Sequence, residues 1–188
     1  ADAYRALSNA DIAFVNGGGI RKQIEAGDIT LDDIYSVHPF GNTMCVIRVT
    51  GQQVLDALEW GARAVPSENG GFLQVSGLTY EIHTGVASSA EKDENGMFTR
   101  VSGEYRVKNV MVGGQPLELD KTYTLASHNY MLLNHGDGYT MFDGCEVLGE
   151  DMMIDNQVLI TYITTTLGGV VGEQYANPYG DGRIVAVE

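Results

Sequence analysis

Cysteine, proline, histidine and positive charge are all scarce in this 188-residue chain, and each scarcity narrows what the protein can be. The two cysteines, Cys45 and Cys145, lie far apart with no CxxC or Cys/His spacing, so neither a zinc site nor a dense disulfide framework is indicated, and the redox compartment stays open. The four histidines, His38, His83, His128 and His135, form no HxH or HExxH pattern, which speaks against a self-sufficient metal centre. No serine stands in a GxSxG elbow and no cysteine in a nucleophile context, so local motifs alone supply no catalytic engine. Eleven Lys and Arg face 25 Asp and Glu, a formal charge of −14 that repels polynucleotides and anionic lipid over most of the surface. A small anionic ligand is still allowed, because it needs only one or two well-placed cations, and most of the cations here are Arg. No run approaches the roughly 20 apolar residues of a membrane helix, and residues 1–20 carry no basic stretch followed by an apolar one.

What is present is enough apolar material for a core: 44% hydrophobic residues and a mean hydropathy of −0.09, in a length that suits one domain, residues 1–188. Residues 1–9 read as the end of a helix with Asp2 as its one candidate cap, and 12–15 as a buried strand running into a glycine turn. Thr30-Leu31-Asp32-Asp33 opens a short helix that stops at His38-Pro39, leaving Phe40 in a turn. Residues 43–50 alternate between two faces of similar polarity, the pattern of an internal strand. Val54, Leu55, Leu58, Ala62 and Val65 recur at helical spacing, and Pro66 closes that helix. Residues 72–75, 78–84, 101–112 and 122–127 read as strands, with Gly113-Gly114 as a hairpin turn between the last two and 85–98 as a polar surface excursion. Ile154, Val158, Tyr162 and Leu167 mark a second amphipathic helix, and 183–187 a closing strand. Without a strict βαβ rhythm, the expected class is α+β, with mixed sheets and flanking helices.

Three features invite a ligand. In Asn16-Gly17-Gly18-Gly19-Ile20-Arg21, glycines let the backbone approach a ligand closely and Arg21 offers a planar, permanently charged fork for phosphate, although the run is neither GxGxxG nor a P-loop. In His135-Gly136-Asp137-Gly138, a carboxylate in a glycine loop suits sugar hydroxyls, whereas Gly180-Asp181-Gly182 shows the same tripeptide serving as a plain turn. Phe40 and Tyr130, each beside a turn, offer rings on which a nucleobase stacks; the plainer alternative is half-buried packing.

The order and spacing of these features resemble the C-terminal, substrate-binding domain of the 5′-nucleotidase family over almost the whole chain. The matching segments are Ala1-Asp2-Ala3-Tyr4-Arg5, Asn16-Gly17-Gly18-Gly19-Ile20-Arg21, Gly27-Asp28-Ile29-Thr30, Pro39-Phe40-Gly41-Asn42, Gly51 with its helix, and Gly71-Phe72-Leu73-Gln74-Val75-Ser76-Gly77. They continue with Asn129-Tyr130, Gly136-Asp137-Gly138-Tyr139 and Gly182-Arg183-Ile184. The resemblance implies a layered α/β/β/α domain that grips a nucleotide, with the reaction carried out by an N-terminal metallophosphatase domain of the same polypeptide holding two divalent metal ions. By resemblance Arg21 binds phosphate, Asn16 and the Gly18 backbone line the sugar and phosphate region, and Asp137 accepts from the ribose hydroxyls. Phe40 and Tyr130 sandwich the base, with Asn42 and the Gly70 backbone at its edge. No residue of this chain is expected to be catalytic or to bind metal, and the location implied is extracellular, cell-surface or periplasmic. Nucleoside 5′-monophosphates are the implied substrates; UDP-sugars, 2′,3′-cyclic nucleotides, or nucleotide binding without turnover are the alternatives. One departure stands out: the family loop reads NGGDG with its aromatic six positions before the Asp, while here His135 replaces a glycine and Tyr130 lies seven positions before Asp137. Tyr130 is preferred to its neighbour Met131 because only Tyr130 has a π face.

Overall fold

The computed structural model describes residues 1–177 and 180–188. Helix α1 (Asp2–Ser8) leads into β1 (Ile12–Asn16), and a short 3-10 turn follows at Gly17–Gly19. Helix α2 (Leu31–Val37) starts as its sequence foretells: the Thr30 hydroxyl accepts from Asp33 N–H and the Asp33 carboxylate accepts from Thr30 N–H, a full capping box. Strand β2 (Met44–Thr50) ends in a second box, Thr50 with Gln53, that opens α3 (Gly51–Ala62). Then come β3 (Leu73–Ser76), β4 (Leu78–His83), β5 (Ala90–Lys92), β6 (Phe98–Val101), β7 (Val107–Val112), β8 (Gln115–Pro116) and β9 (Thr122–His128). The chain closes with α4 (Asn129–Leu132), β10 (Glu146–Gly149), α5 (Asp155–Thr161) continued as a π-helical turn at Tyr162–Thr166, and β11 (Ile184–Val187).

The mixed α+β class is realised in three sheets. The largest has the order β10-β2-β9-β1-β3, in which only β1 and β9 run parallel; the second has the order β11-β4-β7-β8, and β5 with β6 forms a separate ribbon. As expected, β2 is internal, paired along its length with β9 and on its other edge with β10. Strand alternation splits the core in two. Ile12, Phe14, Cys45, Ile47, Val49 and Leu125 face α3 and the second sheet, while Ala13, Val15, Met44, Val46 and Ala126 face α1 and α5. Helix α3 packs against strands of both large sheets, which is why its second half, from Ala57 to Ala62, is buried all round.

Several boundaries differ from the sequence reading. Residues 101–112 are not one strand: the polar break Ser102-Gly103-Glu104 separates β6 from β7. Gly113-Gly114 turns β7 into the two-residue β8 rather than into β9. The polar excursion contains β5, and the exposed edge strand β10 was not foreseen. Helix α3 ends at Ala62, four residues before Pro66.

Candidate functional site

The parallel β1–β9 pair brings two strand ends together, and the candidate site is built on them. Asn16 closes β1 and His128 closes β9. Asn16 is buried, and its Nδ2 donates to Asp137 Oδ2 at 2.6 Å while its Oδ1 lies 3.0 Å from His128 Nε2. Gly19 is required at this point: a Cβ there would stand 2.7 Å from Asn16 Oδ1 and push the amide away from its partners.

Asp137 is held from three sides. The Tyr130 hydroxyl donates to Oδ1 at 3.2 Å and accepts from Asp137 N–H at 3.3 Å, while Trp60 Nε1 on α3 donates to the Asp137 carbonyl at 2.9 Å. The loop turns through two left-handed backbone conformations, His135 at φ 55° and Asp137 at φ 55°. Short polar residues tolerate that region better than others because they hydrogen-bond locally. Gly136 is the second position where only glycine fits, since a Cβ would lie 2.4 Å from the Tyr130 ring. Tyr130 therefore rests one face on Gly136 with its hydroxyl on Asp137.

The glycine turn that carries Arg21 is continuous with this cluster. Gly18 N–H donates to the Gly70 carbonyl at 2.8 Å, Arg21 Nη1 donates to the Gly18 carbonyl at 2.9 Å, and the Arg21 guanidinium carbon lies 5.7 Å from the Phe40 ring centre. Phe40 is 58% exposed and Tyr130 39%, so neither ring is a core residue. The loop that carries Phe40 is tied to the start of α4 by Thr43 N–H donating to Asn129 Oδ1 and Asn129 N–H donating to the Thr43 carbonyl. Asn42 is anchored elsewhere: its N–H donates to Asp155 Oδ2, and its carbonyl accepts from Asp155 N–H at the start of α5. Burial pushes the Asp155 carboxyl up and the His38 imidazole down.

Two contributors escaped the sequence reading. Trp60 fixes the Asp137 loop, and Arg63 lies over the Trp60 ring, 3.7 Å from its centre, with its Nη1 donating to the Trp60 carbonyl. His128 is the other; nothing in its local sequence marks it, because its partner is 112 positions away. Among the described residues no group of three or more His, Cys, Asp or Glu is placed to hold a metal ion. A cavity of about 670 Å³ lies to one side, lined by Ile20, Phe72, Leu159, Tyr162, Tyr175 and Arg183 among others. Its charged wall pairs with itself, Arg183 Nη2 donating to Asp2 Oδ2 at 2.9 Å, which makes it a poorer anion site than the exposed Arg21.

The family model for the 5′-nucleotidase C-terminal domain matches residues 1–144. The trifunctional nucleotide phosphoesterase protein YfkN of Bacillus subtilis is 34% identical over 96% of this chain, which spans 11% of that protein. The 5′-nucleotidase of Vibrio parahaemolyticus is 34% identical over 87% of the chain and 25% of its own length, so the chain is a small fraction of the curated relatives it matches. Among solved structures, a 5′-nucleotidase precursor from Thermus thermophilus superimposes with a TM-score of 0.79 at 31% identity, over 99% of this chain and 34% of that one. The sulfate thiohydrolase SoxB of the same organism, at 19% identity and a TM-score of 0.69, shares the fold. With the family model covering residues 1–144 and relatives at 34% identity along most of its length, the chain belongs to the family of 5′-nucleotidase C-terminal domains.

Proposed function

We propose that this chain is a single nucleotide-binding domain, residues 1–188, that selects and positions the substrate of a metal-dependent nucleotide phosphoesterase. Its partner in this reading is a metallophosphatase domain of the same polypeptide, and its substrates are nucleoside 5′-monophosphates. The observation that carries the reading is the continuity of the site. Asn16, Asp137 and Tyr130 form one hydrogen-bonded group, and the neighbouring glycine turn carries Arg21 beside Phe40. A carboxylate suits a sugar diol, a guanidinium suits phosphate and exposed rings suit a base. Asn42 and the Gly70 backbone complete the base edge in this reading, although the Asn42 backbone is already committed to Asp155.

Among the described residues no group of three or more His, Cys, Asp or Glu is placed to hold a metal, and no chemical step is assigned to them. The domain binds and orients; bond cleavage belongs to the partner domain, in an extracellular, cell-surface or periplasmic setting. A broader phosphoester range is favoured by one observation: YfkN, which aligns with 96% of the chain, is described as trifunctional. Arg21→Ala in the complete protein tests the reading. Loss of a charge-assisted phosphate contact should cost about 1.5–3 kcal/mol, roughly 10- to 150-fold in kcat/KM for AMP. An unchanged kcat/KM in a folded variant would make Arg21 a surface cation and nothing more.

A further inference from the structure

We propose that His128 is a positioning residue for diol recognition: it fixes the Asn16 amide, which in turn orients the Asp137 carboxylate toward the ribose hydroxyls. The inference rests on the nucleotide-binding reading above and adds to it a residue outside the family motifs.

The donor and acceptor count settles how the chain of groups must run. The Tyr130 hydroxyl accepts from Asp137 N–H, so its single proton is free to go to Asp137 Oδ1. Asp137 Oδ2 faces Asn16 at 2.6 Å, a contact that is attractive only if the Asn16 amide presents its NH₂ there. The opposite Asn16 atom, Oδ1, is then an acceptor 3.0 Å from His128 Nε2, and His128 must supply the hydrogen. The neutral Nε2–H tautomer follows, and Nδ1 is left without a hydrogen-bond partner among the described residues. Without the His128 donor, Asn16 Oδ1 would be a buried acceptor with no partner, and the amide would lose the contact that holds it in the position from which it meets Asp137.

The surroundings hold the imidazole in this role. His128 is 4% exposed and Asn16 5%, so no bulk water can take over the contact. The Tyr4 ring meets the imidazole edge-on at 6.3 Å between centres, and the Tyr130 ring lies 5.9 Å away on the other arm of the site. Burial lowers the His128 pKa to about 4, in keeping with a neutral ring at neutral pH. The imidazole therefore reaches, through Asn16, the carboxylate that the ribose hydroxyls would meet.

Binding of adenosine and of 2′,3′-dideoxyadenosine, which lacks the diol, to the complete protein tests the proposal by calorimetry. His128→Leu should weaken adenosine about tenfold or more and change dideoxyadenosine less than about twofold, as expected when an outer support of a polar contact is removed. His128→Gln, whose amide nitrogen can reach the place of Nε2, should restore adenosine to within about threefold. His128→Asn, whose amide is too short, should repeat the loss and serves if the leucine variant does not fold. Equal weakening of both ligands, no weakening, or a diol-selective loss that glutamine fails to rescue would each overturn the positioning role. Asp137→Ala separates this from the reading beneath it. If the unmodified protein shows no preference for the diol, or keeps its preference without Asp137, the site itself is wrongly assigned. A preference lost with Asp137 but kept with His128→Leu removes only the role of His128.

Discussion

Phe40 and Tyr130 are the residues at which local chemistry decides most. Both rings are exposed, and they come from segments cross-linked by the Thr43–Asn129 hydrogen bonds, with Arg21 beside one and Asp137 beside the other. If they clamp a base, Phe40→Ala and Tyr130→Ala should each raise KM for nucleotides by the stacking increment of about 1–3 kcal/mol, with ribose 5-phosphate unaffected. Rings that serve only as surface packing would leave KM unchanged and alter stability by no more than about 0.5 kcal/mol. Steady-state kinetics with AMP and ribose 5-phosphate, alongside melting curves, separate the two. Asn16, Arg21, Phe40 and Asp137 stand out in the sequence as candidates because each lies in or beside a glycine motif, and Tyr130 because its ring lies just before the loop that carries Asp137. His128 does not, because its role depends on the parallel β1–β9 pairing, which no local pattern announces.

At the scale of elements, legibility followed burial and capping. The boundaries of α2 were readable because Thr30 and Asp33 cap it and His38-Pro39 stops it, the α3 helix because apolar residues recur at helical spacing after Gly51, and β1 and β2 because apolar residues fill both of their faces. Strand β10 was not readable: Glu146, Val147 and Leu148 are exposed at a sheet edge, so burial imposes no alternation on them. Helix α3 couples stability to the site, since its cap lies at Thr50 and its far end carries Trp60, the donor to the Asp137 carbonyl. Thr50→Ala removes the box and should cost about 1 kcal/mol, within a range of about 0.5–2. In a domain of this size that lowers the melting temperature by roughly 2–4 °C. An unchanged melting temperature would mean that packing against the two sheets, and not the cap, sets where α3 begins.

For the whole molecule, binding and turnover should separate. The chain has its own core on both faces of the five-stranded sheet, so it has the means to fold as a unit and keep its site without a neighbour. Its imidazoles are dispersed into other tasks: His83 contacts Glu81, His135 contacts Asp143, His128 supports Asn16, and His38 lies half-buried with its pKa lowered. In the proposed reading bond cleavage belongs to the partner domain, and no group of three or more His, Cys, Asp or Glu gathers among the described residues. The purified chain should therefore bind AMP, through a contact that weakens on Arg21→Ala, and release no phosphate from it at any concentration of added divalent cation. The formal charge of −14 sharpens the binding half of the test, because nonspecific attraction cannot stand in for a real site. Calorimetry with AMP and a phosphate-release assay on the same preparation check both halves. Metal-dependent release of phosphate that follows this chain through purification would place catalytic groups here. Absence of AMP binding would show that this chain does not grip a nucleotide by itself.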